Sequence, residues 1–320
     1  MECTIDKVFR SFRKINKPQK VKGCNCSFCI SEKEIIKLLN ADQKLLTCGE
    51  LYSYVNNVLI TVGSPDDFIF LLPAILKVWS EQLYANKDSA YNQRLHGALI
   101  RSDLDKSVEY LDASETTIAV NAKEGFLYCH LPESLRKIVL SFMGNEIFKR
   151  IGKENSLSII GKTSTHSWFR VFASYGVFSN NIEQLWQQWW STPTKGHAIA
   201  LVQYASCLIC DEKANPVFAP WDPKIGGGTP LLWNYESFFF GEYWMEENLE
   251  FLKKVLSVDY LHKKLEDTQY LLKDPLDAKI VTEVRNILDK EFTKVELRIE
   301  RLIDLLGKPS APGGPFDWGL

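Results

Sequence analysis

Three cysteines within six positions, Cys24, Cys26 and Cys29 in GCNCSFC, form the densest set of soft ligands in the chain. Thiolates at that spacing suit zinc, but a structural zinc site takes four ligands and no fourth lies beside them. Cys48 or Cys3 could close such a site; without one, the segment reads as a reduced, partly buried turn. Cys207-Leu-Ile-Cys210 is spaced like a second half-site, yet it sits in an apolar helical run where cysteine is most simply a small core residue. No βαβ pattern surrounds either cluster, which weighs against a thioredoxin-like dithiol. The expectation is no cofactor, with zinc at Cys24, Cys26 and Cys29 as the alternative.

Other catalytic signatures are missing from the sequence. It contains no His-Glu-x-x-His, no Gly-x-Ser-x-Gly, no phosphate loop and no dinucleotide fingerprint. The glycine triplet in Ile225-Gly-Gly-Gly-Thr has no Lys in register and no preceding strand, so it reads as a loop. His96, His130, His166, His197 and His262 are scattered, and a Cys-His nucleophile pair would have to be assembled in space.

Charge is more informative. Residues 1–22 carry Lys7, Arg10, Arg13, Lys14, Lys17, Lys20 and Lys22 against Glu2 and Asp6, a net charge of +5. The favoured reading is a solvated helix docked through Val8, Phe9 and Phe12, with a nucleic-acid arm as the alternative. Residues 211–250 carry eight acids against Lys213 and Lys224, a net charge of −6, together with nine aromatic residues. Aromatic anchors inside an acidic rim are what a protein-binding surface uses: rigid rings supply desolvated contact, and carboxylates steer a basic partner. The candidate partner-binding residues are Trp221, Asp222, Trp233, Glu236, Glu242, Trp244, Glu246 and Glu247. The competing reading places these aromatics in the core, as it does Leu185, Trp186, Trp189 and Trp190.

The elements that must position these groups read as helices. Ser31 with Glu34, and Thr47 with Glu50, have the capping-box spacing. The helix after Thr47 should stop at Gly63, and Ser64-Pro65 should start another, with a kink or break at Pro73. Further helices are expected near 132–151, 166–177, 181–191, 196–210 and 231–257, with one short hairpin allowed within 114–129. Asp274-Pro275 caps a long helix that Gly307 stops, and its pairing with residues 249–272 gives a helical hairpin. The predicted fold class is all-α, an irregular multi-helix bundle or a solenoid-like stack of helix pairs. Residues 1–90 would hold the basic arm and an N-terminal helical subdomain, 91–306 the helical body, and 307–320 a flexible tail.

At 45% hydrophobic and 24% charged, the 320 residues belong with soluble globular chains rather than disordered ones. A net charge of −2 gives no global argument for nucleic acid. The N-terminal MECTIDKVFRSFRKINK lacks the apolar stretch of a secretory signal, and no run reaches membrane-spanning length. A cytoplasmic protein with reduced thiols is expected.

Taken together, the Cys cluster, ISEKEIIKLLN and LTCGELYSYVNNVLITVGSPDDFIFLLPAIL resemble a group of bacterial proteins of unknown activity. The matching positions are Cys26, Cys29, Leu51, Tyr54, Gly63, Asp67, Phe68, Leu72 and Pro73, about the first quarter of the chain. No catalytic residue comes with the resemblance. Cytosolic, helical, motif-poor and locally acidic, the chain is similar to immunity proteins of interbacterial toxin systems. That similarity implies a non-enzymatic protein that occludes the active site of a toxin. An enzyme with a spatially assembled Cys/His or zinc site, and nucleic-acid binding through the basic arm, remain the rivals.

Overall fold

The computed structural model describes residues 3–24, 29–58, 62–84, 131–153, 157, 172, 175–177, 182–211, 215–217 and 243–307. These are all-α, and their one β feature is an isolated bridge between Val58 and Val62. The chain divides into two compact units, Met1–Ile147 with Phe240–Glu242, and Phe148–Phe239 with Tyr243–Leu320. The hairpin allowed within 114–129, the subdomain boundary at 90/91 and residues 308–320 of the tail lie outside the described residues.

In the first unit, α1 (Ile5–Phe12) starts at Thr4, whose hydroxyl accepts from Lys7 N. Its Val8 and Phe12 are buried, and it packs on α4. Both expected capping boxes form: Ser31 with Glu34 opens α2 (Glu32–Asn40), and Thr47 with Glu50 opens α3 (Cys48–Asn57). In each, the carboxylate accepts hydrogen bonds from the cap residue, which hold its pKa below the usual glutamate value.

The next turn brings together Tyr54, Gly63 and Asp67. Helix α3 ends at Asn57, short of the expected stop, and Gly63 adopts φ +74°, a conformation that disfavours side chains with a Cβ. A Cβ there would lie 2.8 Å from Val58 Cγ2 and 3.0 Å from Asp67 Oδ2. The fully buried Asp67 then ties two helices together: it accepts from Ser64 N at 2.6 Å, from the Ser64 hydroxyl, and from Tyr54 Oη at 2.7 Å. Burial first, and the adjoining carboxylate second, push the Tyr54 hydroxyl well above its ordinary pKa.

Helix α4 (Pro65–Tyr84) is continuous through Pro73, so of the kink or break expected there the break does not occur. A proline there forfeits one backbone hydrogen bond, and the burial of Leu71, Leu72, Ala74, Ile75 and Leu76 offsets that loss. Helix α5 (Glu133–Ile151) meets it through Trp79 and Phe142, edge-on at 6.4 Å, and through Ser80 Oγ donating to Glu146 at 2.8 Å.

The second unit contains α6 (Glu183–Trp190), α7 (Lys195–Ile209), α8 (Glu246–Val255), α9 (Val258–Gln269), α10 (Pro275–Lys290) and α11 (Phe292–Leu306). Two expectations fail here. The stretch 249–272 is two helices, because the Ser257 hydroxyl accepts from Tyr260 N and starts a new one. The long helix after Asp274 is also two, interrupted at Glu291, where φ −113° and ψ 21° leave the helical region. Helix α7 is at the centre: residues 196–206, 208 and 209 are buried, and α6, α9, α10 and α11 all pack on it. Trp186 and Trp190 stack at 4.2 Å in the same core.

Candidate functional site

The acidic, aromatic stretch meets the described structure at its C-terminal end. Trp221, Asp222, Trp233, Glu236 and Glu242 lie outside the described residues. Trp244 is a correction to the partner-anchor reading, because it is only 3% exposed. Its ring meets Phe172 edge-on at 5.5 Å and covers Gly176 so closely that a Cβ there would lie 2.3 Å from the indole. The surrounding backbone is pinned as well: Trp244 N donates to Leu306 O at 2.9 Å, and Met245 N to Gly176 O at 3.1 Å. Asn248 Nδ2 adds a 2.8 Å bond to that same glycine carbonyl. Trp244 therefore holds α8 in place and presents no contact surface.

Glu246 and Glu247 keep their expected exposure in the first turn of α8, where carboxylates favour the positive end of the helix dipole. The sequence reading missed what lies beside them. Helix α8 packs on α11, and α11 carries Glu296, Glu300 and Asp304 at intervals of four, one exposed stripe along the helix. Lys253 links the two sets: it donates to Glu250 at 2.7 Å and feels Asp304 and Glu246. The Glu250 hydrogen bond leads, with Glu250's charge and the other acids behind it, in raising the Lys253 pKa. Glu246, Glu247, Glu296, Glu300 and Asp304 form no salt bridge among the described residues. Three exposed apolar side chains belong to the same two helices and their edge, Met245 at 36%, Phe292 at 51% and Leu297 at 60%. The signal for the α11 stripe was present as an i, i+4, i+8 series of acids, overshadowed by the apolar series on the opposite face.

Asp211, at the start of the acidic stretch, is occupied otherwise. It pairs with Lys294 at 2.6 Å and with Arg298, and Arg298 also donates to Leu208 O at 3.0 Å and Ile209 O at 2.8 Å. The Lys294 hydrogen bond, above all, keeps the Asp211 pKa below the ordinary aspartate value. The group caps the C-terminus of α7.

Among the thiol candidates, Cys26 lies outside the described residues, whereas Cys24 and Cys29 are half-buried. Cys24 N donates to Ile30 O at 3.4 Å, and Gly23 sits where a Cβ would reach within 2.2 Å of Glu32 N. The described residues contain no cluster of three or more His, Cys, Asp or Glu side chains arranged to hold a metal. Burial raises the pKa of Cys207 far above normal and that of Cys210 to about 12, so both persist as thiols at neutral pH. His197 is buried, with Nδ1 2.7 Å from the Thr194 hydroxyl, and its burial lowers its pKa; His262 lies 3.3 Å from Asp289. His96, His130 and His166 lie outside the described residues.

Comparison with protein-family models, curated proteins and solved structures found no match. No helix among the described residues is long and apolar enough to cross a membrane.

Proposed function

We propose that this chain is a non-enzymatic, cytosolic binding protein of the immunity type, which neutralises a bacterial toxin by covering its active site. The observation that carries the reading is the acidic face of α8 and α11. Glu296 with Glu300, and Glu300 with Asp304, are like-charge pairs at i, i+4, each opposing helix formation by about 0.2–0.5 kcal/mol. Nothing in the second unit neutralises them with a salt bridge among the described residues. A surface that works against its own helix, edged by exposed Met245, Phe292 and Leu297, suits a basic partner that brings the missing countercharge.

The partner of this reading is a basic toxin domain, and the test starts from the genes on either side of this one: a secreted toxin encoded there is the candidate to purify. Co-expression of this chain should protect cells from that toxin. The triple variant Glu246→Lys, Glu247→Lys and Glu300→Lys should lose protection and slow association by 10-fold or more, because rim charges act through steering. Its stability should not fall by more than about 1 kcal/mol, because Glu300→Lys turns two repulsive i, i+4 pairs into attractive ones while the changes at Glu246 and Glu247 cost about 0.3–1 kcal/mol each at the start of α8. The absence of any toxin gene beside this one, or failure of the parent chain to bind and protect against the toxin encoded there, would sink the proposal, as would unchanged association by the triple variant.

A further inference from the structure

The basic N-terminal stretch is a fixed surface. Val8 and Phe12 anchor α1 on α4, Ile15 N donates to Phe12 O at 2.9 Å, Lys17 Nζ donates to Asn40 Oδ1, and Lys22 O accepts from Gly63 N at 2.6 Å. Between these ties Arg10, Arg13, Lys14, Lys17 and Lys20 are exposed. Among the described residues, Arg10, Arg13, Lys14 and Lys20 form no salt bridge, and the one acid of α1, Asp6, is paired 3.7 Å away with Lys44.

The dipole of α1 accounts for part of this charge. Arg10 and Arg13 lie at its C-terminal end, where cations are favoured by about 0.3–1 kcal/mol. Lys17 and Lys20 lie beyond the helix; Lys17 is tied to Asn40, and Lys20 forms no salt bridge among the described residues. We infer that Arg10, Arg13, Lys14, Lys17 and Lys20 form a phosphate-binding strip that holds the backbone of a nucleic acid without reading its sequence.

Two observations favour nucleic acid over the other polyanions. A membrane-binding basic helix needs an exposed apolar face to insert, whereas Val8 and Phe12 are 0% and 5% exposed, Phe9 lies under Lys44 with Nζ 5.5 Å from the ring, and no apolar side chain from 5 to 22 is exposed. The strip also has two arginines, whose planar forks bond phosphate oxygens in pairs, and it runs from the last turn of α1 through the turn at Arg13 and Lys14 into the irregular chain that follows.

The test is fluorescence anisotropy with the full chain, a labelled 20-base-pair DNA of mixed sequence and an RNA strand of the same sequence. If about four phosphates are neutralised, log Kd for the duplex should change with log salt by a slope near 3–4, a loss of affinity of about 100-fold between 50 and 200 mM NaCl. The variant Arg13→Gln, Lys14→Gln and Lys20→Gln should reduce that slope by about 2–3 with an unchanged melting temperature. No binding of either probe at 50 mM NaCl overturns the inference, and so does wild-type affinity and slope in the variant. Binding to vesicles of phosphatidylserine and phosphatidylcholine without binding to either nucleic acid overturns it too, as does equal binding of poly-glutamate, which would mark a general acidic-peptide surface.

Discussion

Replacing Trp244 by alanine separates a core role from a contact role. With 3% of the side chain exposed, the indole buries on the order of 150–250 Å², worth about 4–6 kcal/mol at ~25 cal/mol/Å². Residual burial in the unfolded chain lowers that figure, while the cavity left behind raises it. The cavity will persist, because one wall is the backbone of Gly176, held by Met245 N and Asn248 Nδ2, and backbone cannot relax into the space as a side chain can. The expected loss is therefore about 4 kcal/mol, within the range for burying and then deleting a large aromatic. Equilibrium urea denaturation followed by far-UV circular dichroism should show the midpoint falling by about 2 M for an m value of ~2 kcal/mol/M. Protein that remains folded should keep the affinity of the parent for any partner. A midpoint drop below about 0.5 M together with a 10-fold or larger loss of binding would refute the packing argument and return Trp244 to the contact surface.

Gly63→Ala should destabilise the protein by about 2 kcal/mol or more, since the left-handed backbone disfavours a Cβ and the new atom would press on Val58 and the Asp67 carboxylate; a melting-temperature change under 1 °C would contradict this. Burial lowers the pKa of His197, so its neutral form is the one the fold accepts: its contribution is fully present above the ordinary histidine value of about 6.5 and is lost as pH falls through the lowered folded value. Melting temperatures measured from pH 7.5 down to 5 should therefore fall more steeply for the parent than for His197→Gln, and parallel curves would rule the group out.

Local chemistry was the most legible layer of the fold. Ser31, Thr47 and Asp274 were readable as helix starts, because a short side chain that caps a helix acts within four residues and needs no tertiary context. The break allowed at Pro73 and the continuity expected at Glu291 fail for opposite reasons. At Pro73 a local rule allowed a kink or a break, and burial of the flanking residues outweighs one missing hydrogen bond and keeps the helix unbroken. At Glu291 the apolar spacing continues through the break, so periodicity follows which side is buried but misses where the chain turns. The candidate site was legible only in its charge. Composition located an acidic region and put Glu246 and Glu247 on its surface, but whether Trp244 faced outward or inward depended on Gly176 and Phe172, about 70 residues earlier.

The central position of α7 has a consequence during synthesis. Helix α7 ends at Ile209, but the helices that cover much of it, α9, α10 and α11, are complete only at Leu306, about 100 residues later. At roughly 5–20 residues per second, a run that includes Ile199, Leu201, Val202, Leu208 and Ile209 waits about 5–20 s for its last neighbour after it is made. During that interval this unit cannot complete its fold on the ribosome, and its most apolar helix remains a target for holding chaperones or for a neighbouring nascent chain.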